Sequence, residues 1–347
     1  MKKHAIIPIF IPHRGCQNDC VFCNQKIITA RSADVTPLDV RNIIEEYLPT
    51  LVNRNIETIE VAFFGGSFTG LPMDQQSVFL EVAKEYKDAG KINKIHMSTR
   101  PDYIDEAILD NLEKYSVDII ELGVQSFDPE VLAASKRGHS VEQVYRACNL
   151  IRNRGIELGI QLMIGLPSDT MEKSIMSAKK TAEIRPSLAR LYPTVVLEDT
   201  ELINMCKIGK YKPLDEKMAA EITKEMYLIL HNAGINIMRV GLKSTDLITP
   251  ESDFGGGYHP AFRQLVEGEI SRQILDKQLM EISITSKIME KTHVVCRSNP
   301  KWFNNMIGHK GCNKAFFAKK YPHLSIAYRV DESLDDITFT SKKESIR

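Results

Sequence analysis

Six short β-rich runs dominate the first 200 residues: Ile6–Ile11, Thr58–Phe64, Ile92–Ser98, Val117–Gly123, Gly155–Leu162 and Leu188–Tyr192. Between them lie stretches whose apolar residues recur at helical spacing, among them Asp74–Ala89, Ile104–Lys114, Val141–Asn153 and Thr170–Ile184. A strand that returns parallel to its predecessor needs a long crossover, usually a helix. The alternation therefore predicts parallel β-α units. Six of them predict a partial (β/α)6 barrel of the TIM type, with a doubly wound open sheet as the competing arrangement. In both, the loops at the C-terminal ends of the strands carry the chemistry.

The remainder of the 347 residues leaves room for an appendage or a second domain. Pro193 to Met289 reads as mostly helical, with a strand around Ile235–Val240 and a Gly-rich loop at Phe254–Pro260. Composition then shifts: Lys291 to His323 holds seven Lys/Arg and no Asp or Glu, whereas Asp331–Asp336 is acidic. The expected division is a barrel over 1–193, an extension packing on it over 194–290, and a small basic α+β module with a tail over 291–347.

That module reads as a strand at His293–Cys296, a helix at Asn299–Met306, the loop Gly308-His309-Lys310-Gly311, a helix at Cys312–Lys320 and a strand at Leu324–Val330. The order resembles the minimal KH core, whose GxxG loop clamps a nucleic-acid backbone. Lys310 in the loop, with Lys314, Lys319 and Lys320 beyond it, supplies the charge for that task. Gly308, His309, Lys310, Gly311 and Lys314 are the candidate RNA contacts. GxxG is a common sequence, and a basic helix is often only a solvated face.

Lys plus Arg and Asp plus Glu both number 45, so the chain is not globally basic and any nucleic-acid surface must be local. No apolar run approaches the ~20 residues that span a bilayer. Two prolines break Ile6–Pro12, and His13-Arg14-Gly15 is no small-residue cleavage site, so a buried first strand is expected there. The expectation is a cytoplasmic protein with no membrane partner.

Of seven cysteines, three fall within eight residues, Cys16-Gln-Asn-Asp-Cys20-Val-Phe-Cys23. Clustered cysteines in a cytosolic chain point to metal or redox chemistry before disulfides. The C-x3-C-x2-C spacing suits three corners of a [4Fe–4S] cube, leaving one iron without a protein ligand. Electron-transfer clusters take four cysteines. A structural zinc site completed by His13, or a cluster completed by a distant cysteine, are the alternatives. The triad follows the first strand directly, at the mouth where barrel active sites lie.

The triad resembles the signature of the radical S-adenosylmethionine (SAM) superfamily, and later motifs at successive strand ends narrow the likeness. Phe63-Phe64-Gly65-Gly66-Ser67-Phe68-Thr69 follows the second strand and Ser98-Thr99-Arg100-Pro101-Asp102 the third. Glu121-Leu122-Gly123-Val124-Gln125-Ser126 and then Arg137-Gly138-His139 follow the fourth. Gln161-Leu162-Met163-Ile164-Gly165-Leu166-Pro167 ends the fifth, and Tyr192-Pro193 the sixth. Together they resemble the group holding the Elongator catalytic subunit, which modifies tRNA wobble uridine, and oxygen-independent coproporphyrinogen oxidase. The likeness covers roughly residues 6 to 270.

The resemblance implies an enzyme that cleaves SAM reductively at a [4Fe–4S] cluster held by Cys16, Cys20 and Cys23, giving a 5′-deoxyadenosyl radical. It implies RNA, above all tRNA, as substrate; a small molecule, as in porphyrinogen oxidation, is the alternative within the same chemistry. A zinc- or cluster-stabilised RNA-binding protein is the non-enzymatic alternative. A reductant protein such as flavodoxin or ferredoxin would deliver the electron.

By the same resemblance Gly65, Gly66 and Ser67 would meet the SAM amino group and Arg137 its carboxylate. Gln125 and Gln161 would bond the ribose or methionine part, and Met163, Ile164 and Phe22 would flank the adenine. Arg100 belongs to the same cofactor set. Arg137 could instead cap a helix, and Met163, Ile164 and Phe22 could be core. No catalytic acid identifies itself; His139, Tyr192, Tyr258 and His259 are the candidates for handling substrate, and the last two could belong to a plain turn. Cys148 and Cys206 fit helical patterns as buried inert thiols. In two respects the chain departs from the Elongator subunit: that protein has a longer gap between its first two cysteines, and it carries an acetyltransferase domain for which 347 residues leave no room. Acetyl-CoA is therefore not expected.

Overall fold

The computed structural model describes residues 4–11, 16, 19–24, 35–52, 54–242, 256–285 and 292–344. His13, Phe254, Gly255 and the expected boundary at 290/291 lie outside the described residues. Two compact units result, Met1–Tyr258 and His259–Arg347.

In the first unit the strands share one pattern: alternate residues are apolar and buried, while the residues between them are mixed, apolar in some places and polar or charged in others. β1 (His4–Ile11) buries Ile7, Ile9 and Ile11. β2 (Thr58–Gly65) buries Val61 and Phe63, and β3 (Lys94–Thr99) buries Ile95 and Met97. β4 (Ile119–Gln125), β5 (Glu157–Ile164), β6 (Leu188–Pro193) and β7 (Asn236–Val240) continue the pattern. Neighbours pair in parallel in the order β1-β2-β3-β4-β5-β6-β7. With a side-chain period of two, the apolar set turns outward to the helices and the mixed set inward to the concave face. The sheet is a curled half-barrel.

The crossovers are α1 (Pro37–Leu51), α2 (Met73–Asp88), α3 (Glu106–Lys114), α4 (Pro129–Ala134), α5 (Val141–Asn153), α6 (Met171–Ile184), α7 (Glu201–Lys207) and α8 (Glu216–Asn232). Their starts are written locally. Thr36 accepts from Asp39 N while Asp39 accepts from Thr36 N at 2.8 Å, and Ser140 and Gln143 repeat this capping box. Asp105, Asp128, Thr170, Thr200 and Asp215 cap α3, α4, α6, α7 and α8 through single side-chain acceptors.

The sheet has a seventh strand. The run at Ile235–Val240, assigned from sequence to the extension, is β7, because its Ile237 and Val240 bury against the same layer and it pairs with β6. The two compact units divide after Tyr258.

The second unit contains α9 (Phe262–Ile284), β8 (Thr292–Ser298), α10 (Phe303–Ile307), α11 (Cys312–Lys320), β9 (Leu324–Val330) and β10 (Phe339–Lys343). Its sheet order is β10-β8-β9, with β8 and β9 parallel. Trp302, Met306 and Phe317 are wholly buried, and Trp302 Nε1 donates to Asp336 at 2.5 Å. A polar seam ties α9 to the short helices: Asn313 donates to Gly268 O at 2.8 Å and Asn305 to Glu267 at 2.8 Å.

Candidate active site at the mouth of the half-barrel

The cysteine loop leaves β1 and is fastened from both sides. Val21 N donates to Ser135 O at 3.2 Å, and Val21 O accepts from Leu202 N at 2.8 Å. Val21 packs into a cluster with Val196, Leu202 and Ile203, and Phe22 lies against that cluster. Cys23 N donates to Cys20 O at 3.0 Å, closing a tight turn. Cys20 is buried, and Cys16 and Cys23 are half-buried. Among the described residues no three His, Cys, Asp or Glu side chains form a finished metal cage.

Two other loops frame these thiols. Cys16 Sγ lies 3.2 Å from the buried Ser67 Oγ, in the glycine-rich segment after β2. Gly65 there has φ +103°, and a Cβ at this position would sit 2.9 Å from Ile11 O, so the ends of β1 and β2 approach too closely for any side chain. Gly66 N donates to that same carbonyl at 2.8 Å. Thr69 Oγ1 is 2.6 Å from Thr99 Oγ1 and donates to Tyr103 O, which joins the ends of β2 and β3.

Arg137 closes the frame. Its Nη1 donates to Cys20 Sγ at 3.1 Å and its Nη2 to Gly123 O at 2.5 Å, so it faces the triad rather than capping a helix. Arg100 grips Asp102 with two bonds, Nε to Oδ1 at 3.0 Å and Nη2 to Oδ2 at 2.8 Å. Gln125 follows a register shift in β4 and holds a left-handed φ of +67°. Such backbone costs of order 1–3 kcal/mol and persists only where its surroundings enforce it. Arg100 Nη1 and Gln125 Oε1 are buried without a hydrogen-bond partner. Burial, then the charges of Arg137 and Arg100, push His139 down to about 3, so its imidazole is neutral.

Below the mouth, the third residue of each of four strands is ionisable: Glu60, His96, Glu121 and Arg190. They join inside the curl. His96 Nδ1 is 3.3 Å from Glu60 and its Nε2 3.4 Å from Glu121, while His4 Nε2 is 2.7 Å from Glu60. Arg190 Nε donates to Glu121 at 2.7 Å and its guanidinium covers the Phe64 ring at 4.8 Å. Burial opposes ionisation of Glu121, but Arg190 and His96 outweigh it and hold the carboxyl at about 2. His96 is raised, because the bonds to Glu121 and Glu60 outweigh its own desolvation. Gln161 donates to Ser98 Oγ at 3.2 Å and to Glu121. Sequence reasoning missed this chain; an ionisable residue inside an apolar run was the signal.

The sequence matches the model of the radical SAM superfamily over residues 10–179 and that of the radical SAM C-terminal domain over 186–272. This chain belongs to the radical SAM superfamily. It is 33% identical over 256 residues to a tRNA uridine(34) acetyltransferase of Methanocaldococcus jannaschii, covering 63% of this chain and 47% of that protein. It is 28% identical over 232 residues to Elongator complex protein 3 of Dictyostelium discoideum, covering 56% and 42%. The Elp3 structure of Methanocaldococcus infernus shares the fold at a TM-score of 0.63 and 24% identity, over 79% of this chain and 64% of that one. The chain spans less than half the length of the curated tRNA uridine(34) acetyltransferases it matches. Members of the superfamily work with a [4Fe–4S] cluster and SAM. Among the described residues no helix is long and apolar enough to cross a membrane.

Within this radical SAM chain, the remaining sequence candidates divide. Gln161, Met163 and Tyr192 share the concave face, Met163 being paired with Tyr192. Ile164 is the exception: one residue on from Met163, it turns to the helical layer and is fully buried, so its side chain does not face the mouth. Phe22 is likewise engaged in the Val21 cluster. Tyr258 packs with Val195 and Leu197, and Gly256 pairs with Val195. His259 belongs to the second unit, where its Nδ1 accepts from Ala261 N at 3.0 Å and its ring stands edge-on to His309 at 5.0 Å. It serves a helix start, as a turn residue would. In the Gly308–Gly311 loop His309 is held by Gln264 at 3.1 Å, while Lys310, at φ +50°, and Lys314 are exposed.

Proposed function

We propose that Cys16, Cys20 and Cys23 hold the [4Fe–4S] cluster, that SAM binds beside it at the mouth of the half-barrel, and that the substrate is RNA, with tRNA as its class. The observation that carries this reading is the Arg137–Cys20 contact, which sets a buried guanidinium against a thiol of the triad. The residues fit the cofactors. Three thiols on one short loop are the donors that iron–sulfur chemistry requires. Arg100 Nη1 and Gln125 Oε1 offer a buried donor and acceptor, and leaving such groups unsatisfied costs about 1–3 kcal/mol each.

When bound, the cluster and SAM together supply a 5′-deoxyadenosyl radical by one-electron cleavage of the sulfonium C–S bond. This chain's residues hold and shield. Arg137 would turn its planar charge to the SAM carboxylate. Gln125 and Gln161 would hold the ribose, Met163 would lie along the adenine, and the Gly65–Ser67 backbone would take the amino group. His139 and Tyr192 remain the candidates nearest the substrate. A flavodoxin or ferredoxin would serve as reductant. RNA as substrate is supported by the tRNA-modifying relatives and by the exposed Lys310 and Lys314 at the GxxG loop, the KH-like reading of the second unit.

Anaerobic reconstitution of the full chain with iron and sulfide, then SAM and dithionite, tests this. A cluster spectrum and release of 5′-deoxyadenosine are expected, and both are lost in a folded Cys20→Ala variant. Tetrahedral zinc in an anaerobic sample, or a cluster that never cleaves SAM, overturns it.

A further inference from the structure

The amide of Gln161 is fixed in one sense by its surroundings. Its Nε2 carries two hydrogens, one directed to Ser98 Oγ at 3.2 Å and one to Glu121 Oε1. An ionised carboxylate is an acceptor only, so a flipped amide would set oxygen against oxygen. Glu121 is fully buried, bound by Arg190 Nε at 2.7 Å and faced by His96 at 3.4 Å, and stays ionised at every ordinary pH. With both hydrogens used, what Gln161 offers the lumen is its carbonyl oxygen. Its register partner is Gly123, whose missing side chain leaves open the space beside Gln125 Nε2 and Arg137 Nη2.

We infer that Glu121 is a positioning residue that sets the polarity of Gln161, so that the site presents an acceptor there and selects a nucleoside ligand by a hydroxyl that can donate to it. The inference rests on reading the mouth as the SAM site. His96 and Arg190 support Glu121 in turn: with Glu60 they form a chain of alternating charge in which Glu121 lies between His96 and Arg190.

The test is SAM affinity against that of 2′-deoxy- and 3′-deoxy-SAM, by anaerobic equilibrium dialysis on the reconstituted full-length protein, with thermal melts as a folding control. Loss of one hydrogen bond to an oriented acceptor is worth about tenfold, so wild type is expected to prefer SAM over one analogue by about that factor. Glu121→Gln lets the amide turn, and the preference is expected to fall below about threefold. The exchange Glu121→Gln with Gln161→Glu keeps the charge count, returns an acceptor to position 161, and is expected to restore the preference. A purely structural role would shift the melt and leave the ratio untouched. An unchanged ratio in folded Glu121→Gln overturns the inference. Should that variant fail to fold, the double exchange carries the test, and its failure to discriminate overturns the inference. Wild type that binds no SAM would instead overturn the reading of the site itself.

Discussion

Arg190→Met isolates the energetics of the charged layer inside the curl. Arg190 Nε lies 2.7 Å from Glu121, which has no solvent exposure. Removing one partner of a buried pair costs about 3–5 kcal/mol, because the other charge is left uncompensated. The lower end applies here, since Glu121 keeps His96 at 3.4 Å and the amide of Gln161. Met replaces the apolar stem, so the cost is electrostatic rather than a cavity. About 3 kcal/mol on a unit of this size lowers its melting midpoint by roughly 6–12 °C. Far-UV circular dichroism reads the whole chain, whereas the single tryptophan, Trp302, is buried in the second unit and reports that unit. The expected result is a drop in the dichroism midpoint without an equal drop in the fluorescence midpoint. Adding Glu121→Gln to Arg190→Met is expected to recover part of the loss by discharging the stranded carboxylate. A single variant as stable as wild type, or a double variant less stable than the single, would refute the reasoning.

His139 is neutral in the fold and depressed to about 3, so the unfolded chain takes up its proton first as pH falls below about 6.5. Stability is expected to decline by about 1.4 kcal/mol per pH unit through pH 6 to 4, and His139→Gln flattens that slope in urea titrations. Glu121 acts lower, its contribution being present above about pH 4.5 and lost as pH falls toward 2; His96 acts with opposite sign, stabilising below about 6.5 and losing that contribution as pH rises through its raised folded value. Gly65→Ala sets a methyl 2.9 Å from Ile11 O at a positive φ; a loss of about 2 kcal/mol in thermal unfolding is expected, and an unchanged melt would count against the close approach of β1 and β2. Lys310→Glu with Lys314→Glu is expected to weaken tRNA binding in filter assays and to reduce the slope of log affinity against log salt by about 2; an unaltered slope places the RNA surface elsewhere.

Local chemistry accounts for what could be read before the fold was known. The helical spacing over Val141–Asn153 and the helix read at Cys312–Lys320 match the helices over those same residues, the first of which Ser140 caps. β10 was missed because Phe-Thr-Ser-Lys-Lys carries no alternation of its own; pairing with β8 makes it a strand. β7 was visible as a strand, but only its partnership with β6 makes it part of the half-barrel. The cysteine triad announced itself by spacing. Glu60, His96, Glu121 and Arg190 did not, since 25 to 69 residues separate successive members and only parallel register brings them level. Ile164 was drawn into the cofactor set by its adjacency to Met163, and a strand period of two turns it to the opposite face.

The fastening of the cysteine loop bears on the order in which this molecule is made. Its two backbone anchors, Ser135 and Leu202, are translated more than a hundred residues after Cys20. While the nascent chain is still shorter than that, neither of these two anchors exists to hold the loop in place. The native frame of the loop is therefore complete only once Leu202 has been made, and a helper that guards these thiols before then would have to bind a chain that has not yet reached that residue.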